Sequence, residues 1–240
     1  MAAVCCPGNG FSQVFNVPAQ LALVRGASNV RCLNLLCMAC GLALFCVDAA
    51  AAETYGQAVA LFSGKDLNNW TCKLRDENVG LADVWQVAEN GVLVCQGRPA
   101  GYLRTKEKFT SYVLELEWRF PANKKPGNSG VLLRIVGEDK VWPKSVEAQL
   151  QHDNAGDIWN IDRFAMTVDA GRTSGRRTTK LKPGNERPLG EWNHYRIVVE
   201  GPTIKLYVNG ELQNEAQDVE VVAGYVGLQS EGAEIHFRNI

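Results

Sequence analysis

From Leu61 to the C-terminus, apolar and polar residues alternate with period two in short runs, each broken by turn signals. "GVLVCQG", "YVLELEWRF", "SGVLLRIV", "SVEAQLQ", "HYRIVVEG", "TIKLYVNGE", "GYVGLQSE" and "EIHFRNI" all follow it. Such alternation sends successive side chains to opposite faces of a strand. No stretch sustains a helical period. Asn90-Gly91 and Asn209-Gly210 sit between apolar runs, where Asn-Gly favours a tight hairpin turn. Many short strands at close spacing predict an all-β sandwich or jelly roll. The polar, Gly-rich stretch at 169–190, "DAGRTSGRRTTKLKPGNERPLG", is expected to be a long loop, and long loops in compact domains are often functional.

The N-terminus follows a different rule. Residues 31–47, "RCLNLLCMACGLALFCV", are almost uninterruptedly apolar, with Arg25 and Arg31 before them and "DAAAAET" after. This is the order of a secretory signal, with cleavage expected after Ala52. The run is shorter than the roughly 18–20 residues of a membrane-spanning helix. The expectation is a prefix over 1–52, one domain over 53–240, export to the periplasm or the outside, and no stable membrane partner. Cleavage leaves two of the eight cysteines, Cys72 and Cys95. They either pair in an oxidising compartment or pack as small apolar side chains. The remaining chain has 23 Lys and Arg against 25 Asp and Glu, which gives no electrostatic case for nucleic acid.

Phase within the strands locates candidate chemistry. In "SVEAQLQHDNAGDIW", Glu147, Gln149 and Gln151 share one face, and Ala148 and Leu150 the other. A carboxylate beside amides on one face can act as a base next to hydrogen-bond donors. In "YVLELEWRF", Glu115, Glu117 and Arg119 lie opposite a core face of Leu114, Leu116, Trp118 and Phe120. In "SGVLLRIV", Leu132 and Arg134 share a face. Arg134 either pairs with a carboxylate structurally or, if its strand neighbours Glu147, orients that carboxylate.

These segments also carry a resemblance. "LFSGKDLNNW", "WQVAENGVLVCQG", "GYLRTKEKF", "LELEWRF", "GNSGVLLR", "SVEAQLQ", "GDIW", "GEWNHYRIVVEG", "LYVNGE" and "GLQSEGAEIHFRNI", in this order, resemble the 3-keto-disaccharide hydrolase domain family. The resemblance implies a concanavalin A-like lectin/glucanase sandwich, a jelly roll of two antiparallel sheets with a concave sugar-binding groove. It implies an exported enzyme that cleaves glycosides whose carbon 3 is a ketone, with a separate sugar 3-dehydrogenase supplying the ketone. The chain itself shows no Gly-rich dinucleotide fingerprint. One departure is that His152, followed by Asp153, stands where many relatives place Asp after the Glu-x-Gln strand.

On this basis Glu147 is the expected base, with Arg134 and Gln149 as stabilisers of an enolate. Glu117, Asn128, Asp157, Trp159 and Gln229 are expected substrate contacts. Trp142 could also stack on a sugar, Glu231 could point into the groove, and Trp85, Trp118 and Trp192 read as core. His152 and Asp153 are the candidates for a divalent metal, the one cofactor the residues leave open, although their spacing is not diagnostic. The basic loop "GRTSGRRTTKLK" either binds an anion, covers the groove or is simply solvated. Two rival readings stand beside the keto-sugar route. One is a non-catalytic carbohydrate-binding module, since a fold does not fix a function. The other is ordinary hydrolysis with Glu147 and Glu117 flanking one bond.

Overall fold

The computed structural model describes residues 56–240. The expected signal, its cleavage after Ala52 and the other six cysteines lie outside the described residues. No helix among the described residues is long and apolar enough to cross a membrane.

Two antiparallel sheets face each other. In chain order the strands are β1 (Trp70–Leu74), β2 (Trp85–Val87), β3 (Leu93–Cys95), β4 (Gly101–Thr105), β5 (Tyr112–Arg119), β6 (Gly130–Val136), β7 (Lys144–Gln149) and β8 (Ile158–Ile161). They continue as β9 (Thr173–Ser174), β10 (Arg177–Thr178), β11 (Asn193–Glu200), β12 (Thr203–Val208), β13 (Glu211–Ala216), β14 (Tyr225–Ser230) and β15 (Ile235–Arg238). One sheet runs β1-β4-β14-β6-β7-β8-β10-β9, the other β13-β12-β11-β5-β15-β3-β2. A four-residue α-helix, Leu81–Val84, precedes β2, and the Asp83 carboxylate accepts the Gly80 N–H at its start. The all-β sandwich expected from the alternation is therefore present, and every run quoted for it contains a strand.

The core lies between the sheets. The apolar phase of each strand enters it: Leu103, Val131, Leu133, Val146, Ala148, Ile158 and Leu228 from the first sheet, and Leu93, Leu114, Leu116, Trp118, Ile197, Leu206 and Phe237 from the second. Burial of these side chains is the main driving force, at about 25 cal/mol per Å² of apolar surface. Cys72 and Cys95 pack against or within this cluster as free thiols, which is the packing alternative rather than the bridge. Asn209 and Gly210 both take positive φ between β12 and β13, as a tight hairpin turn requires.

Three expectations give way here. The stretch at 169–190 is not all loop: Thr173–Ser174 and Arg177–Thr178 form a hairpin that extends the first sheet beyond β8. Asp169 starts it by accepting the Gly171 N–H, so a turn-rich sequence still finds ladder partners. Trp192 is half-buried rather than core, flanked by the guanidinium groups of Arg119 and Arg238 at 4.5 and 4.1 Å from its ring. Finally, the phase of β6 breaks at a bulge between Leu133 and Val136, where Arg134 has φ 53°. Leu132 and Ile135 then share the outward face, and Arg134 leaves it.

Candidate active site

The outward face of the first sheet carries the site. Register defines its rows. Glu147 on β7 stands between Leu132 on β6 and Trp159 on β8, and Arg177 follows Trp159. In the next row Gln149 stands opposite Gly130, and Gln229 on β14 stands opposite Tyr102 on β4. Leu228 pairs with Val131, which brings Gln229 alongside Gly130. Gly130 leaves a gap in that row, and both neighbours lean into it. A Cβ at Gly130 would lie 2.5 Å from Glu147 Oε1 and 2.7 Å from Gln229 Oε1. These are distances that real Cβ atoms essentially never show.

Glu147 and Gln229 are 5 % and 1 % exposed. Buried polar groups normally find hydrogen-bond partners. Here Glu147 Oε1, both amide atoms of Gln229, Asn128 Oδ1 and Trp159 Nε1 have none. Leaving such a group unpaired costs roughly 1–3 kcal/mol. These five atoms come from β14, β7, β8 and the entry to β6 and share one face, while six other unpaired buried atoms are scattered over the rest of the described residues. Hydroxyl groups of a bound ligand would satisfy them.

Burial pushes the Glu147 carboxyl up to about 8, and the nearby Glu231 carboxylate adds to the rise. The Gln229 amide, which can turn its N–H toward the carboxylate, and the Arg176 guanidinium pull the other way. Arg176 sits at the tip of the β9–β10 hairpin, 5.6 Å from the centre of the Trp159 ring. Glu231 follows Gln229 by two residues, and its backbone bridges to Asn128. Burial raises its carboxyl as well, against the lowering effects of the Asn128 side chain and Arg75.

The segment between β6 and β7 covers part of this face. Tyr102, Leu132, Ile135 and Ile161 form a second apolar cluster outside the main core, and Trp142 and Tyr225 pack on it. The Tyr102 hydroxyl donates to Asp139, which also pairs with Arg104 at 3.3 Å. These contacts hold the segment bearing Trp142 over the sheet.

The structure thus brings together Glu147, Asn128, Trp159 and Gln229. It takes the remaining expected residues elsewhere. Arg134 is fully buried, and its guanidinium donates to the carbonyls of Thr110, Gly201, Val219 and Glu220. The bulge turns it off the face of Glu147 and makes it a clasp between the two sheets. Gln149 lies on the expected face, but its Oε1 accepts the N–H groups of Leu150 and Gln151, each at 2.9 Å, and so caps the turn after β7. Asp157 is fully buried and accepts from Arg177 and from the Lys180 N–H, which ties down the basic loop. Glu117 lies on the outward face of the second sheet, bonded to Arg238 and Asn239 at 2.6 Å. With sheets packed about 10 Å apart, Glu117 and Glu147 point away from each other across the whole sandwich. They cannot flank one bond.

The metal candidates are also separate from the carboxylate. His152 lies 3.6 Å from Glu186 and 3.7 Å from Asp153, with Phe120 edge-on to its ring. Among the described residues no group of three or more His, Cys, Asp or Glu side chains could hold a metal ion.

Sequence reasoning missed Gly130, Arg176 and Tyr102 as parts of this face. Gly130 was legible in principle, since Asn128, Gly130 and Leu132 share one phase in "GNSGVLL". The cross-strand register that makes the gap useful is not a sequence property.

The fold is a two-sheet jelly roll, and one outward face carries this row of buried, unpaired polar groups. The profile of the 3-keto-alpha-glucoside-1,2-lyase-like domain matches residues 57–240, and the chain belongs to that family. A curated relative, the 3-keto-disaccharide hydrolase of Bacteroides thetaiotaomicron, is 24% identical over 238 aligned positions, which cover 76% of each chain. Among solved structures, a candidate glycosyl hydrolase from Parabacteroides distasonis superposes with TM-score 0.54 at 23% identity, over 75% of this chain and 89% of the other. The Bacillus licheniformis beta-glucanase does so with TM-score 0.53 at 13% identity, over 77% and 96%. These likenesses place the architecture among the glucanase-type jelly rolls.

Proposed function

We propose that the chain cleaves the glycosidic bond of 3-keto-glycosides by elimination and rehydration, with Glu147 as the base. The observation that carries this reading is the buried Glu147 carboxylate beside the unpaired Gln229 amide and Trp159 indole donors; the one other carboxyl that acts on it at this face, Glu231, lies past the end of β14 and interacts with Asn128 and Arg75. An inverting or retaining hydrolase of the ordinary kind needs two carboxyl groups facing across the bond. Elimination needs one base and a stabilised enolate.

A ketone at carbon 3 acidifies the hydrogen on carbon 2. Glu147 takes that proton, and the electron pair moves into the enolate at oxygen 3. The Gln229 amide N–H and the Trp159 indole N–H are the donors left free to hold the developing charge, in the roles first expected of Arg134 and Gln149. The enolate re-forms the ketone and expels the oxygen on carbon 1, which takes a proton from solvent and leaves a carbon 1–carbon 2 double bond. Water then adds to carbon 1 and loses a proton to solvent, and Glu147 returns its proton to carbon 2. The net change is one water consumed and one bond cleaved. A carboxyl raised to about 8 is a stronger base, once ionised, than one at 4.5. The family membership and the name of the curated relative support the substrate class. Production of the ketone by a separate sugar dehydrogenase and export of the chain belong to the same proposal.

The test is a kinetic isotope effect with a 3-keto-disaccharide deuterated at carbon 2. Proton abstraction predicts slower cleavage of the deuterated sugar. Equal rates, with an unoxidised disaccharide cleaved as fast, would mean ordinary hydrolysis.

A further inference from the structure

Beyond Glu231 the face opens into a cavity of about 420 Å³, lined among others by Arg75, Arg98, Pro99, Trp142 and Glu231. That lies within the range of small-molecule sites. Its wall is built rather than incidental. The Gly232 N–H donates to the Gly97 carbonyl at 2.6 Å, and the Ser230 hydroxyl donates to the Pro99 carbonyl at 2.9 Å. Gly97 has φ 78°, and a Cβ there would sit 2.1 Å from the Ala233 carbonyl oxygen, so only glycine permits this close approach.

The lining is unbalanced in charge. It holds two guanidinium groups and one carboxylate. Both arginines are exposed toward solvent, and Arg75 lies near enough to Glu231 to pull its carboxyl down. Glu231 lines the cavity two residues beyond Gln229, and its carboxylate is close enough to that of Glu147 for the two to repel each other. A ligand spanning from Glu147 past Glu231 would place its remote half between Trp142 and the two arginines. A tryptophan face suits a sugar ring. A pair of guanidiniums suits a planar or tetrahedral oxyanion, which they bind bidentately.

We infer that this cavity is the subsite for the leaving half of the substrate and that it selects a leaving group bearing an anionic substituent, a carboxylate or a sulfate ester. This rests on the proposed glycoside cleavage for the word "leaving", but the recognition itself needs no turnover. An anion here adds to the attraction of the lining, while a neutral sugar gains only the stacking surface.

The test is binding, measured by calorimetry on the full chain with unoxidised disaccharides. One carries a glucuronate as its second unit, one a sulfated glucose, and one a plain glucose. The expected result is at least about tenfold tighter binding of a charged ligand at low ionic strength. The advantage should shrink as salt is added. The carboxylate and sulfate arms tell which oxyanion is preferred. In R75Q/R98Q the advantage should vanish while the neutral ligand binds as before. R98Q alone is a second variant, at an exposed position, and should lose part of it. Equal affinity for all three ligands, binding of none, or a preference that survives in R75Q/R98Q overturns the inference. Failure of keto-sugar cleavage with this preference intact would count against the proposed reaction and not against the subsite.

Discussion

Glu147 Oε1 and Gln229 Oε1, on strands separated by β6, converge on the one point of the sheet where Gly130 supplies no side chain. The gap lets the base and its amide neighbour share a space that any other residue would fill. Gly130 does not need positive φ, so this glycine is required for room and not for backbone freedom.

Gly130→Ala is therefore expected to damage activity more than stability. The three atoms nearest to the new methyl group are the flexible ends of Glu147 and Gln229 and Glu147 Cγ. A carboxylate displaced by about 1 Å can cost roughly 100-fold in rate. Initial rates on a 3-keto-disaccharide and a thermal melt of the same sample check it. A variant at full activity would mean that the gap is not part of the site.

Glu147 should also govern a pH dependence of stability. Its carboxyl titrates near 4.5 when unfolded and near 8 when folded, so the folded state holds the extra proton between these values. Stability is then fully present below about 4.5 and declines as pH rises toward 8, after which the loss is constant. Glu147→Gln removes that loss. Its melting temperature should match wild type near pH 4 and exceed it above pH 8, on the order of several degrees. Thermal melts across pH 4–9 measure the gap, and a gap that is constant with pH would contradict the shift.

The same shift predicts the rate profile. A base must be ionised, so kcat/KM should climb with pH and level off above about 8. Glu231→Gln takes away a neighbouring negative charge, so the midpoint should move to lower pH. A profile already flat from pH 5 would show that another group takes the proton.

Arg134 and Glu117 make a paired prediction. Arg134→Ala leaves carbonyls of Thr110, Gly201, Val219 and Glu220 without their donor, and hydrogen bonds to a charged group are each worth roughly 1.5–3 kcal/mol. The variant should unfold at much lower temperature or fail to accumulate. Glu117→Gln should leave kcat/KM unchanged, because its carboxylate lies on the other sheet. Loss of activity in a well-folded Glu117→Gln would revive the two-carboxylate route.

These residues show what the sequence could and could not say. The strands were legible because alternation is written into each one, and the phase of Glu147 held because β7 is regular. The same reasoning failed for Arg134, where a bulge inserts a residue into the count and no composition cue marks it. Glu117 has the same local signature as Glu147, a carboxylate on a half-buried strand. What separates them is the sheet each strand joins, which is set by long-range pairing. The local pattern presents Gln149 and Asp157 as ligand contacts, yet a polar side chain at the end of a strand often serves nearby backbone, as both do here. Arg75, Arg98 and Glu231 are far apart in the chain and meet only in three dimensions.

The most direct test of the central claim compares wild type and Glu147→Gln, both as the full chain, on one disaccharide with and without the ketone at carbon 3. Elimination with Glu147 as the base predicts cleavage of the keto sugar alone by wild type, and a fall of at least about 100-fold in the variant. Cleavage of the unoxidised sugar at a similar rate, or an unimpaired Glu147→Gln, would contradict it.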